Sequence, residues 1–144
     1  MDVTQMSGGG CMLTTALDYA KWVKCLLYKT EPFSPKCHKD MMMPRVLGKP
    51  QPGAFDIPLF SLGWEQNMYR NTMFIKHDGG MHVFGSAVLF IPSLKFGVAA
   101  WANTALTSNI AIEVLLWRLV DLKMGIAKPD TLSLYAGMRF VSPR

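Results

Sequence analysis

The sequence predicts an α+β fold in which an antiparallel sheet is flanked by helices. Two segments carry apolar residues at every third or fourth position, which is the spacing of an amphipathic helix. Between them lie short apolar runs bounded by Gly, Pro and Asn, which is typical of strands joined by turns. The predicted order is helix, loop, four strands, helix, so the helices stand at the two ends of the sheet segment.

The first helix is predicted over residues 15–28. Thr15 and Asp18 have the spacing of a capping box, in which the Thr side chain bonds to a free backbone N–H of the first turn. Apolar residues then follow at helical spacing, at Ala16, Tyr19, Ala20, Val23, Leu26 and Leu27. Lys21 and Lys24 occupy the opposite face and are expected to be solvated.

Residues 30–60 contain six prolines and are predicted to form mostly a long surface loop, with a short helix between Pro35 and Pro44. A strand is predicted from Ser61 to Glu65, a turn from Asn67 to Asn71, and a short strand from Met73 to Lys76.

Two apolar runs, Phe84–Ile91 and Phe96–Ala102, are separated by Pro92-Ser93-Leu94-Lys95 and predict an antiparallel hairpin. Because both runs are almost wholly apolar, both faces of the sheet should be covered. The last helix is indicated by Ile112, Leu115, Leu116, Leu119 and Leu122, with Glu113, Arg118 and Asp121 on a narrow polar side and Gly125 as a stop. This helix should pack flat against the sheet.

Length and composition restrict the function. A chain of 144 residues is enough for one domain, and half of it is apolar while 17% is charged. The net charge of +5 comes from scattered residues without a basic run, so a nucleic-acid partner is not expected. No apolar stretch approaches the length of a membrane span, and no cofactor is predicted.

The cysteines and histidines do not form a metal motif. Cys11, Cys25 and Cys37 are odd in number and widely spaced, so neither a disulfide framework nor a structural zinc site is expected. His38 and His82 are expected on the surface. The absence of a signal peptide and the odd cysteine number favour a cytoplasmic location over secretion.

Three motifs, in order, carry a resemblance to a known family. They are Gly-Gly-Gly-Cys-Met-Leu-Thr-Thr-Ala-Leu-Asp-Tyr-Ala-Lys-Trp at residues 8–22, Ser-Leu-Gly-Trp at 61–64, and His-Asp-Gly-Gly-Met at 77–81 followed by Gly85, Phe90-Ile91-Pro92 and Trp101-Ala102-Asn103-Thr104. In this pattern the chain resembles serine β-lactamase-related, penicillin-binding-protein-like proteins of the larger-β-lactamase and esterase type, above all fungal members. The resemblance spans residues 7–125 and corresponds to the C-terminal half of that fold, with residues 126–144 as a tail. The expected domain is therefore one partial domain over residues 1–144.

The resemblance implies acyl transfer through a serine ester. A Ser is the nucleophile, and a Lys three residues later, one helical turn away, takes its proton. No Ser in this chain has a Lys at that spacing; the Ser positions are 7, 34, 61, 86, 93, 108, 133 and 142. The nucleophile and base are therefore absent from this chain, and no catalytic residue is assigned.

The resemblance places His77-Asp78-Gly79-Gly80 on the strand that lines the substrate cleft. It implies that His77 polarises the cleft or binds substrate, that Gly79 lets substrate approach the backbone, and that the Gly80 N–H is an oxyanion donor. Asp78 departs from the usual Thr or Ser, and its carboxylate would disfavour anionic substrates.

Two other combinations of residues are considered and set aside. Tyr69-Arg70-Asn71 matches the family's Tyr-x-Asn motif in wording but lies after the Gly-Gly helix rather than before it, in a predicted hairpin turn. A triad of Ser86, His77 and Asp78 fails because neighbouring strand residues point to opposite faces.

Three functional hypotheses remain open. The chain is part of an active-site-serine hydrolase or acyltransferase acting on a small acyl substrate, it is a non-catalytic binding module, or it is a small unrelated enzyme that uses His77 and Asp78. The first predicts exposed apolar surface and hence self-association of the isolated chain.

Overall fold

The computed structural model describes residues 9–10, 12–49, 56–81, 84–104 and 107–126. Its helices are α1 (Ala16–Tyr28), α2 (Pro35–Met42) and α3 (Thr107–Lys123), and its strands are β1 (Val46–Leu47), β2 (Leu59–Phe60), β3 (Glu65–Tyr69), β4 (Thr72–Met81), β5 (Phe84–Ile91) and β6 (Phe96–Ala102). The α+β class predicted from the sequence is confirmed.

Helix α1 begins and ends as its sequence predicts. The Thr15 Oγ1 accepts a hydrogen bond from the Asp18 N–H at 3.2 Å, so the predicted cap is present. At the other end Lys29 adopts a left-handed conformation and its N–H bonds to the Cys25 carbonyl. Helix α2 is also confirmed, with Ser34 as its N-cap and Pro35 in its first turn, where the missing N–H has no effect.

The sheet has six antiparallel strands in the order of the chain, two more than the sequence predicts. The additional strands, β1 and β2, are only two residues long, and they lie within the predicted proline-rich loop. Strands this short carry no periodic pattern, so they could not be distinguished from a loop.

The predicted strand at Ser61–Glu65 is misplaced. The Ser61 N–H donates to the Trp64 carbonyl at 2.9 Å and Gly63 has a φ of 77°, so these residues form the turn between β2 and β3. Strand β3 follows directly and runs to Tyr69, and the turn predicted over five residues consists of Arg70 and Asn71, both with positive φ. A two-residue turn of this kind matches the twist of a hairpin.

The strands β4, β5 and β6 form the centre and one edge of the sheet. The β5–β6 hairpin has the predicted bounds, and a 3₁₀ turn at Pro92–Leu94 joins the two strands. Strand β4 is longer than predicted: it continues through His77, Asp78, Gly79 and Gly80 to Met81, paired with β5 throughout. Glycine lowers strand propensity, which is why the sequence alone ends this strand too early.

Helices cover both faces of the sheet, as predicted. On one face Val23, Leu26 and Leu27 of α1 pack with Ile75 and Phe90, together with Trp64 and Val88. On the other face Trp117 and Val120 of α3 pack with Leu89, Ile91 and Phe74, and Ile112 and Leu116 pack against Ala87. The sheet residues therefore divide by parity between two apolar cores, as the pleat requires.

Helix α3 differs from its prediction at one residue of its polar side. Asp121 is completely buried, and its Oδ1 accepts a hydrogen bond from the Tyr69 hydroxyl at 2.7 Å. The Tyr69 hydroxyl of β3 is the polar partner that allows this carboxylate of α3 to be buried. None of the described helices is both long enough and apolar enough to cross a membrane.

Candidate functional site

The candidate site is the exposed half of strand β4. Strand β3 pairs with β4 only from Thr72 to Lys76, whereas β5 pairs with β4 from Ile75 to Met81. Among the residues that the structure describes, no strand pairs with the remaining edge at His77–Met81, here called the β4 edge. Backbone groups of this edge that do not bond to β5 need another partner, such as a side chain, water or a ligand. All three predicted site residues, His77, Gly79 and Gly80, lie on it.

The two faces of the β4 edge carry different chemistry. His77 shares the face of Ile75, which α1 covers, and its ring lies 6.3 Å from the Trp64 ring in an edge-to-face arrangement. Asp78 points to the α3 face, where it bonds to Lys76. His77 is exposed while Trp64 is buried, so the indole is a core residue that supports the imidazole from one side. The prediction that His77 and Asp78 point to opposite faces of the sheet is confirmed. This arrangement rules out a triad of Ser86, His77 and Asp78.

Gly79 lies in close contact with its neighbour in β5. A Cβ at this position would collide with the Ser86 Oγ, which occupies the space above the glycine. Ser86 is the residue paired with Gly79 in the ladder. Rotation of the Ser86 side chain would relieve this contact, so it does not by itself require glycine at position 79. The role of Gly79 in substrate approach stays a prediction.

Gly80 has an open side instead. The nearest atom to a Cβ built there is the Asn109 Nδ2 at 3.9 Å, an ordinary contact distance. Steric crowding among the described residues thus does not explain glycine at this position. Its backbone N–H stays the predicted oxyanion donor, because a small residue keeps this end of the edge accessible.

An ion-pair cluster lies behind the β4 edge, on the α3 face. The Lys76 Nζ is 2.9 Å from the Asp78 Oδ2 and 3.3 Å from the Glu113 Oε1. Burial alone would lower the pKa of Lys76, but the carboxylates of Glu113 and Asp78 outweigh it and raise that pKa. Lys76 is therefore a fixed cation at neutral pH and is not available as a general base. The sequence reasoning missed this cluster, although Lys76 and Asp78 have the i, i+2 spacing of one strand face.

Glu65 faces the same cluster from β3, since it pairs with Lys76 in the ladder. Partial burial raises the pKa of its carboxyl, and the nearby Lys76 cation opposes this increase.

The remaining sequence candidates have structural roles. Tyr69 is buried, its hydroxyl donates to Asp121, and burial followed by this hydrogen bond raises the pKa of the phenol. The Tyr69-Arg70-Asn71 segment is thus the predicted hairpin turn.

The prediction that His38 lies on the surface is wrong. Its side chain is 2% exposed, and its Nε2 lies 2.9 Å from the Thr30 carbonyl oxygen. Helical spacing could not reveal this, because the ring is buried by the loop before α2. His82 lies outside the described residues.

Two cavities of the described structure lie away from this edge. One, of about 300 Å³, is formed between α1 and β6, and the other, of about 530 Å³, lies beside α2. Within the described ranges, no group of three or more His, Cys, Asp or Glu residues could hold a metal ion. His77, Asp78 and Gly80 of the β4 edge are exposed in the described structure.

The architecture is shared with penicillin-binding-protein-like structures. It superposes with a TM-score of 0.69 on the octameric penicillin-binding protein homologue from Pyrococcus abyssi, with 20% identity, over 78% of this chain and 24% of that chain. The fold is therefore that of one part of this class. No protein-family profile matches the chain.

Two sequence relatives of the chain are named hydrolases of fungi. The chain is 33% identical to the unguisins hydrolase ungD of Aspergillus violaceofuscus over 90% of its length, and 34% identical to ungD' of Aspergillus campestris over 88%. It spans about a quarter of the length of each relative, 25% and 24%. The fold and these fungal relatives agree with the predicted resemblance to serine β-lactamase-related, penicillin-binding-protein-like proteins.

Proposed function

We propose that this chain forms the substrate-binding side of the active site of a serine hydrolase, with the β4 edge as the wall of the cleft. The observation that carries the proposal is the extension of β4 beyond β3, which leaves backbone groups beside His77 and Gly80 accessible. In this arrangement His77 contacts the substrate, and the Gly80 N–H donates to the oxyanion that forms when a carbonyl is attacked.

The proposed reaction is acyl-enzyme chemistry on an ester, amide or thioester. The serine and its lysine base are missing from this chain, so a segment outside it must supply them, and the chain alone is expected to be inactive. The two fungal relatives support hydrolysis, because both are named as hydrolases of unguisins. Transfer of the acyl group to an acceptor other than water, as in an acyltransferase of secondary metabolism, differs only in the final step.

A non-catalytic binding module is the second candidate. The absence of Ser-x-x-Lys favours it, because the sheet and the β4 edge could bind a small molecule without any bond being broken. A direct test is to treat the isolated chain with a p-nitrophenyl ester and a fluorophosphonate probe. Both proposals expect neither turnover nor labelling; stoichiometric labelling of a serine in this chain would contradict both.

A chimera distinguishes the two candidates. This chain would replace the aligned quarter of the Aspergillus violaceofuscus hydrolase, and hydrolysis of unguisins would be measured. If the β4 edge is part of the active site, the chimera is active and His77→Ala lowers kcat/KM by roughly a hundredfold. The matched control is Lys21→Met, which changes an exposed residue of α1 and should leave activity unchanged. A folded chimera whose activity is the same with and without His77→Ala would refute the catalytic proposal.

A further inference from the structure

The β4 edge has backbone support on one side only. Strand β5 is hydrogen-bonded to it, whereas the pairing with β3 stops at Lys76, which lies opposite Glu65, the first residue of β3. A strand paired on a single side is free to twist or fray unless side chains fix it from one of its faces. Any group that reacts or binds on this edge therefore depends on what lies behind it.

Lys76 lies where the doubly paired part of β4 ends, and it bonds in two directions. Its Nζ contacts Asp78, within the edge, and Glu113, on α3. Only 17% of the Lys76 side chain and 19% of the Glu113 side chain are exposed, whereas 53% of the Asp78 side chain is exposed, so the Lys76–Glu113 bond is the shielded one. Charged hydrogen bonds that are shielded from water are stronger than exposed ones. The Lys21–Asp18 pair on α1 offers a contrast, since both of its side chains are largely exposed.

Glu113 is itself fixed by the core. Its Oε1 accepts a hydrogen bond from the Trp117 Nε1 at 3.0 Å, and the Trp117 ring packs edge-to-face against Phe74 at 4.9 Å. Trp117 and Phe74 are both buried. A continuous set of contacts therefore runs from the buried core through Glu113 and Lys76 to Asp78, which stands between His77 and Gly79.

We propose that Lys76 is a positioning residue, which anchors Asp78 to Glu113 of α3 and thereby holds the β4 edge in the geometry that presents His77 and the Gly80 N–H. The proposal rests on the function assigned above to this edge. It also gives Asp78 a role on the face that points away from His77. Asp78, which stands where the resembled family has Thr or Ser, then supports the strand rather than recognising the substrate.

Amide hydrogen exchange of the full chain, followed by NMR, tests the proposal. Lys76→Met and Asp78→Asn should raise the exchange rates of the β4-edge amides that bond to β5 by roughly tenfold or more, as expected for a lost charged hydrogen bond. Amides of the β5–β6 hairpin should keep their rates. Lys76→Arg retains the cation and should restore most of the protection, whereas Lys76→Met keeps a long unbranched side chain without the charge.

The matched control is Lys21→Met, which removes an ion pair of similar length without touching the sheet. The proposal would be overturned if amide exchange became faster to the same extent in β4, β5 and β6. It would also be overturned if the β4-edge amides exchanged at the same rates in the Lys76 and Asp78 variants as in Lys21→Met. If Lys76→Met does not fold, Asp78→Asn decides, because that side chain is half exposed and its removal leaves the core intact. Exchange needs no substrate, so this result is independent of whether the chimera described above is active.

Discussion

At the scale of single residues, glycine in the sheet marks close packing at one position and accessibility at another. A Cβ at Gly97 in β6 would collide with the Val23 Cγ1 of α1 and lie 3.1 Å from the Phe90 Cβ. We expect Gly97→Ala to lower the free energy of unfolding by about 1–3 kcal/mol, because α1 would have to move away from the sheet. Urea denaturation measures this change.

The control for that substitution is Gly80→Ala. A Cβ there meets only the Asn109 Nδ2 at an ordinary contact distance, so the free energy of unfolding should change far less than for Gly97→Ala. Equal destabilisation by the two variants would mean that α1 does not press on β6 at Gly97.

The pH dependence of stability should reveal whether burial or the Lys76 charge has the larger effect on the pKa of Glu65. Burial raises its pKa in the folded state above the unfolded value of about 4.3, so the folded protein binds this proton more tightly. Glu65 therefore stabilises the fold below that pH, and this contribution is lost as the pH rises through the folded pKa. Relative to Glu65→Gln, the wild-type chain should lose free energy of unfolding between pH 4 and pH 7. A relative gain over this range would show that attraction to Lys76 outweighs burial.

At the scale of secondary-structure elements, the cap of α1 is the clearest local contribution. Thr15→Ala removes the acceptor for the Asp18 N–H and should lower the free energy of unfolding by about 1 kcal/mol. Thr14→Ala, one position earlier, removes a hydroxyl that does not cap the helix and should have little effect. Thermal unfolding followed by circular dichroism compares the two, and indistinguishable midpoints would exclude Thr15 as a functional cap.

Elements with strong local signals were predictable from sequence. The capped helix α1 and the β5–β6 hairpin have the expected positions, because periodicity, caps and turn residues specify them within a few neighbours. Strands β1 and β2 were missed and β4 was predicted too short, since two-residue strands have no period and glycines weaken the β4 signal. Their existence depends on pairing with distant residues.

The candidate site was predictable only in part. His77, Gly79 and Gly80 were located by resemblance, and the structure places them on one exposed edge. The Lys76–Glu113 contact joins residues far apart in sequence, and Asp121 is buried by a partner in β3. Neither arrangement can be read from a helical or strand pattern, because each depends on how α3 lies on the sheet.

At the scale of the whole molecule, exposed apolar side chains suggest a further property. Leu13 and Leu17 near the start of α1, Val46 and Leu47 in β1, and Leu115 and Leu122 in α3 are each more than half exposed. We propose that the isolated chain self-associates through such surface, because covering it removes apolar area from water. Analytical ultracentrifugation should detect dimers or larger species, and the unfolding midpoint should increase with protein concentration.

Leu17→Gln provides the matched variant, since it keeps a good helix former at an exposed position while removing apolar area. It should weaken self-association if the surface of α1 contributes to it. A monomer that unfolds cooperatively at a midpoint independent of concentration would argue against self-association.

The strand order of the sheet has a consequence for how this chain acquires its structure. In the described sheet, each strand pairs only with its neighbours in sequence, two for the inner strands and one for β1 and β6. Such a meander is built from contacts of short sequence separation, and low contact order favours rapid folding. During synthesis, the backbone pairs from β3 to β6 therefore need no residue beyond Ala102, whereas the core on one face of the sheet still needs α3.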